Sequence, residues 1–317
     1  MSPASDVGPD ARIVHRHGGC RAVRLPPETP VVRTARQVAA EPDPGVLARL
    51  DALSRDAFCA DLQTLAAYAT RRCGSDGFDE AARWAAQQLE QAGYAVHTQD
   101  VPQAGPHCRN VIGNRPGSGP EPRAVVLVTA HLDSINLAGP AEPAPGADDN
   151  ASGSAGVLAL ARALAGPPTA LDLRMILFGG EEEGLHGSLR YVAALSDAER
   201  GQIRAVLNMD MIGGRNTPEP GVLLEGAAVS DDMLDALARA AATYTGLAVE
   251  VSRTPYNSDH VPFIDAGIPA VLTIEVADGA NTRPHTADDV VAAVDPDLAM
   301  EILRCNLAFL VDELGRP

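Results

Sequence analysis

Three short apolar runs in this chain each end in acids or a histidine. Residues 124–129 (AVVLVT) lead into His131-Leu132-Asp133, and residues 171–178 (LDLRMILF) lead through Gly179-Gly180 into Glu181-Glu182-Glu183. Residues 205–209 (AVLNM) are followed by Asp210, and two loop motifs add Asp148-Asp149 in GADDNASG and His285 in TRPHTADD. Unbroken apolar runs suit strands covered on both faces. In an open parallel sheet, ligands bind outside the carboxyl ends of the strands, so these groups should meet in one crevice. Carboxylates aimed at one place repel one another unless a cation sits among them. Two imidazoles with three or more carboxylates and no thiolate form a donor set suited to zinc, and also to cobalt or manganese. A carboxylate shared between two ions would hold them ~3.5–4 Å apart, and one left off the metals could take a proton from water.

The elements that must position these groups follow from the same patterns. Helices are expected over 47–65, 79–92, 154–165, 189–195 and 231–242, the second closed by Gly93. A last helix begins at Asp295 as N-cap with Pro296 in its first turn and runs to about 313. Strands are expected over 94–101 and 110–114, at the three runs above, and over 269–274. Strands alternating with helices mean an α/β domain with a largely parallel, helix-covered sheet. Residues 1–43 stand apart as a Pro/Arg-rich extension, with six Arg against three acids within the first 40, and 44–317 read as the folded domain.

Composition removes several functions. The 317 residues carry a net charge of −17, and all 25 bases are Arg. Without Lys, Schiff-base chemistry, PLP attachment and a P-loop lysine are excluded. Acidity argues against nucleic acid as a partner, and no stretch approaches the ~18 apolar residues of a membrane span. The N-terminus lacks the apolar core of a signal peptide, so the default expectation is a cytoplasmic protein, with secretion by another route left open. Five scattered cysteines without a C-x-x-C pair suggest neither a disulfide framework nor a thiolate metal site.

The ordered set HLDS, GADDNASG, EEEGLHGS, NMD and TRPHT resembles the M28 family of co-catalytic zinc aminopeptidases over about residues 45–315. The resemblance implies a three-layer α/β/α zinc-peptidase fold with a mixed, mostly parallel central sheet and two Zn2+ per chain, for which Co or Mn can substitute. It implies that Asp148 bridges both ions, that Glu182 and His285 complete one, and that His131 and Asp210 complete the other. Glu181 would be the general base, and Asp133 would orient His131 by accepting its second ring proton. A cis peptide is expected between Asp148 and Asp149. The implied activity is removal of N-terminal amino acids from peptides with a free N-terminus, through a water activated by two zinc ions.

Other candidates are weaker. His97, His107 and His186 have no partner motif, and Glu183 reads as the solvated member of its triplet. Ser258-Asp259-His260, contiguous in sequence, cannot form a protease triad and reads as pocket wall or metal support. Ser152-Gly153-Ser154-Ala155-Gly156 lacks the first Gly of a nucleophile elbow. Arg253 or Arg283 could clamp a substrate carboxylate, and the Pro-rich loop 135–146 should form part of the rim. The alternatives are a glutaminyl-cyclase-like enzyme with one zinc and a catalytically inactive binding member of the fold.

Overall fold

The computed structural model describes residues 39–166 and 168–315, together with three strand segments nearer the N-terminus. Most of the extension expected at 1–43 therefore lies outside the described residues. The segments are β1 (Ile13–Arg16), β2 (Gly19–Ala22) and β3 (Val32–Arg33). β1 and β2 pair antiparallel with each other.

The single helix expected over 47–65 is two, α1 (Pro44–Leu50) and α2 (Arg55–Ala66). Each begins at its own cap: the Asp43 side chain accepts from Gly45 and Val46 N–H ahead of Pro44, and Ser54 accepts from Ala57 N–H at 3.2 Å. α3 (Asp76–Gln91) ends as anticipated, with Gly93 at φ +89° donating to Glu90 O at 2.9 Å. There follow β4 (Ala95–Asp100), β5 (Arg109–Arg115), β6 (Val125–His131), α4 (Gly153–Ala163) and β7 (Asp172–Phe178). Next come α5 (His186–Ala194), α6 (Asp197–Gln202), β8 (Ile203–Met209), β9 (Gly221–Glu225) and α7 (Asp231–Tyr244). β10 (Ala248–Ser252), α8 (Val261–Asp265), β11 (Ala270–Glu275) and α9 (Pro296–Leu314) complete the chain.

The main sheet has the order β3-β10-β9-β11-β8-β6-β7-β5-β4. Its centre, β11-β8-β6-β7, is parallel throughout, and antiparallel pairs occur toward both edges. This is the expected mixed, mostly parallel sheet. β9 and β10 were not anticipated. β9 is a buried five-residue strand between Pro/Gly turns, whereas β10 is only partly buried.

Side chains alternate between two covers, as the twofold period of a strand requires. From β6 and β7, Val126, Val128, Ala130, Leu173, Met175 and Leu177 join the large core that includes residues of α2, α3, α4, α7 and α9. Val125, Leu127, Ile176 and Phe178 face the other way, toward Tyr191 of α5 and Phe263 of α8. Phe178, Tyr191 and Phe263 form an aromatic cluster with centroids 5.9–6.2 Å apart. At about 2 kcal/mol for each large apolar side chain buried, both covers hold the sheet and the fold is three-layered.

The connection from β6 through α4 places β7 on one side of β6, and the return through α5 and α6 places β8 on the other. A crevice therefore opens beside the carboxyl end of β6, with the ends of β7 and β8 flanking it.

The cysteine expectation needs correction. Cys73, after α2, and Cys108, entering β5, form a disulfide across a sequence separation of 35 residues, while Cys59 and Cys305 are free. The pairing depends on the α2–α3 connection folding against the β4–β5 connection, which sequence spacing does not reveal. Reducing the bond, or combining Cys73→Ser with Cys108→Ser, should cost about 3 kcal/mol. The measurement is the urea midpoint with and without a thiol reductant, and an unchanged midpoint would contradict it.

Candidate metal centre

The crevice collects His131 from the last position of β6, Glu181 and Glu182 from the turn after β7, and Asp210 just beyond β8. Asp149 and His285 arrive on loops. Asp149 lies at the middle: its Oδ1 is 3.2 Å from His131 Nε2 and its Oδ2 is 3.0 Å from His285 Nε2. His131 Nε2 is also 3.3 Å from Asp210 Oδ1 and 4.0 Å from Glu181 Oε2, and His285 Nε2 is 2.7 Å from Glu182 Oε2. One donor atom each from His131, Asp149 and Glu182 lie within 4.8 Å of one another. Glu182 Oε1 is buried without a hydrogen-bond partner.

Asp148, expected as the bridge, is directed elsewhere. Its carboxylate accepts from Gly213 N–H at 3.0 Å and from Asn281 Nδ2 at 2.9 Å. The cis peptide likewise falls one residue later than expected, between Asp149 and Asn150. Asp289 fixes the register, because its two oxygens accept the N–H groups of Asp148 and Asp149 at 2.8 and 3.0 Å. Gly146 begins this turn at φ +51°, where a Cβ would run into Asp149 O and Ser134.

Asp133 also differs in detail. The His131 Nδ1 partner is the Asp133 backbone carbonyl at 3.1 Å, and the side-chain oxygen is 3.7 Å away, beyond hydrogen-bond range. The carboxylate instead accepts the N–H groups of Glu181 and Glu182, both at 3.2 Å, and so holds the turn that carries them. Ser258 donates to Asp210 Oδ2 at 2.7 Å and accepts from Asn208 Nδ2 at 3.0 Å, which makes it a support for Asp210. His285 sits at φ +60°, an uncommon conformation for a side-chain-bearing residue, and its carbonyl accepts from Leu137 N–H in the 135–146 loop at 3.0 Å. Glu183 is not freely solvated, being paired with Arg72. Arg253 pairs with Asp231 at 3.0 Å, and exposed Arg283 folds back on Asn281.

Sequence reasoning missed Arg71. Its guanidinium is fully buried and donates to the carbonyls of Leu132, Leu65, Pro145 and Gly146 at 2.5–2.9 Å, knitting the loop after β6 to the loop before Asp149. The sequence offers only one of two adjacent arginines, with nothing to mark the buried one. Glu275, at the end of β11, was also unforeseen. It accepts from Asn216 Nδ2 at 2.8 Å and Asn281 Nδ2 at 3.1 Å beside Asp148.

Known proteins resemble this chain in both sequence and fold. The model of Peptidase family M28 matches residues 110–310. Leupeptin-inactivating enzyme 1 of Streptomyces exfoliatus is 34% identical over 71% of this chain, which spans 50% of that protein. A probable leucine aminopeptidase of Arthroderma benhamiae is 32% identical over 82% of this chain and 73% of its own length. Among solved structures, a zinc aminopeptidase from Bacillus subtilis superposes with a TM-score of 0.59 at 26% identity, covering 66% of this chain and 50% of that one. A glutaminyl cyclase from Bacteroides thetaiotaomicron superposes with a TM-score of 0.69 at 20% identity over 82% of this chain and 98% of that one, a likeness of fold alone.

The electrostatics follow from burial. Burial raises Glu182 and Asp148 to about 7, with Asp149 and Asp289 respectively adding repulsion. Burial also raises Glu181 well above the carboxylate range. It works against charge on the imidazoles but is outweighed: Asp210 and Glu181 raise His131, while Glu182 and Asp149 raise His285 to about 12. For Asp149, too, burial favours protonation, but hydrogen bonds with both imidazoles win and hold it well below its usual value.

A sign follows for the metal-free protein. Glu182 and Asp148 titrate near 4 when unfolded and near 7 when folded, so their stabilising contribution is complete below 4 and lost as pH rises through 7. His285, raised from ~6.5, acts in the same direction above that value. Stability in chelator should therefore fall from pH 5 to pH 8. Metal ligands must be deprotonated, so with excess divalent cation it should rise over the same interval. Urea midpoints at both pH values under both conditions measure this, and a midpoint that rises with pH in chelator would contradict it.

Proposed function

Given that the chain belongs to peptidase family M28, we propose that it is a zinc-dependent aminopeptidase that removes residues from the free N-terminus of peptides. The observation that carries this reading is the Asp149 carboxylate, with one oxygen toward His131 and the other toward His285. Two imidazoles and three surrounding carboxylates, with no thiolate, fit a pair of zinc ions, and metal–ligand bonds of ~2.0–2.2 Å suit donors gathered this closely. Glu182 and His285 would hold one ion, His131 and Asp210 the other, and Asp149 would serve both. Asp148 leaves the ligand set and becomes a support. Zinc is the metal named for the Bacillus subtilis structure. Bound there, the ions would polarise the scissile carbonyl and acidify water.

The chain's own residues would do the rest. Glu181 is buried beside the ligands with a raised proton affinity and is held by the Asp133 contact to its N–H. It would take the proton of the attacking water and deliver it to the leaving amine. The carboxylates at the site favour a substrate's α-ammonium group. Arg253 is paired with Asp231, which engages one of the two clamps considered for a carboxypeptidase. The two-sided placement of Asp149 favours this reading over a cyclase with one zinc.

The test pairs metal analysis with hydrolysis of leucine p-nitroanilide and its N-acetyl derivative. The wild-type protein should hold two zincs and cleave only the free-amine substrate. Glu181→Gln should retain both metals while kcat falls about 10²–10⁴-fold. Asp149→Ala should lose metal, whereas Asp148→Asn should keep it. Two zincs retained by Asp149→Ala would overturn the bridge, and full activity in Glu181→Gln would remove the base.

A further inference from the structure

We propose that the loop 135–146 is a clasp on His285, in which Leu137 donates its backbone N–H to the His285 carbonyl and Asn136 holds that donor in place, making both of them positioning residues for one half of the metal centre. The inference rests on the two-ion reading of the site and deepens it. The two imidazoles are mounted differently. His131 is the last residue of β6, its side chain is 1% exposed, and its ring is held by the Asp133 carbonyl. His285 stands on a loop with its side chain 22% exposed, at a φ of +60° that side-chain-bearing residues seldom adopt. Strand pairing and packing fix the first, whereas backbone hydrogen bonding must hold the second in a conformation that is sparsely populated on its own.

The loop is braced so that its donor stays still. Asn136 Nδ2 donates to the Pro143 carbonyl at 2.6 Å, across the loop, and Asn136 Oδ1 accepts from Ala138 N–H at 2.9 Å. At the base, Ser134 Oγ donates to the Ala144 carbonyl at 2.7 Å, and Arg71 donates to the carbonyls of Pro145 and Gly146. The ends of the loop are therefore fixed to the segments that carry His131 and Asp149, and the Leu137 bond, at 3.0 Å, extends that placement to His285. Without it His285 can leave its positive φ, which carries Nε2 away from Asp149 Oδ2 and Glu182 Oε2, now 3.0 and 2.7 Å distant. His131 and Asp210 stay where β6 and β8 put them.

The experiment measures the zinc affinity of both sites by chelator competition, together with the urea midpoint of the metal-free protein, in wild type, Leu137→Ala, Leu137→Pro and Asn136→Ala. Leu137 is 68% exposed, and Leu137→Ala keeps the N–H, so both affinities should stay within about twofold of wild type. Leu137→Pro removes the donor, and Asn136→Ala frees it to move. In both, one zinc should be held about 10–100-fold more weakly and the other within about twofold of wild type, with the metal-free midpoint unchanged. Asn136→Ala decides the matter even if Leu137→Pro disturbs folding. Two zincs bound by Asn136→Ala as tightly as by wild type, or both weakened equally, would overturn the clasp and leave the two-ion reading standing. Wild-type protein that binds fewer than two zincs would overturn both.

Discussion

Carboxylates crowd the carboxyl ends of β6, β7 and β8 far beyond what the nearby cations can balance. Asp133, Asp148, Asp149, Glu181, Asp210, Asp259, Glu275 and Asp289 are all buried there or close by. Each unpaired buried charge costs several kcal/mol. The protein answers in two ways. Some acids are satisfied by donors belonging to the scaffold: Asp133 by two N–H groups, Asp289 by two more, and Asp148 by Gly213 and Asn281. Others, Asp149, Glu182 and Asp210, are turned toward imidazoles and toward one another. Acids held by scaffold donors position the loops, and acids left facing each other can take up a cation.

The same distinction explains why buried Arg71 is no counter-ion in the ordinary sense. Burial lowers it to about 10, which still leaves it charged at neutral pH. Its hydrogen bonds nonetheless go to four carbonyls, with Asp289, Asp133, Asp149 and Glu182 favouring its charge from nearby. It therefore does two things at once, closing the backbone around the Asp149 turn and supplying a fixed positive potential behind it. An uncharged amide could donate to two of these carbonyls at most and could not supply the potential.

Much of this was legible because strand ends are legible. The apolar runs leading to His131, Glu181 and Asp210 announce buried parallel strands, and the fold places such ends together. What stayed hidden depends on contacts distant in sequence. Asp148 and Asp149 are chemically identical neighbours, and which faces the imidazoles is set by Asp289, 140 residues beyond Asp149. Whether Asp133 reaches His131 by side chain or carbonyl depends on where the Glu181–Glu182 turn docks. The single helix expected over 47–65 breaks at Ser54, whose side chain caps α2 through Ala57 N–H.

The disulfide joins the framework to the site. Cys108 Sγ would lie 2.9 Å from a Cβ at Gly179 and 3.7 Å from one at Gly180, so the turn carrying Glu181 and Glu182 runs directly over the bond with no room for side chains. The other half-cystine, Cys73, follows Arg71 and Arg72, which hold the Asp149 approach and Glu183 respectively. One covalent link outside the metal centre thus ties together two segments that place its acids. The packing of Gly179 and Gly180 makes the bond part of the geometry on which the acids rely.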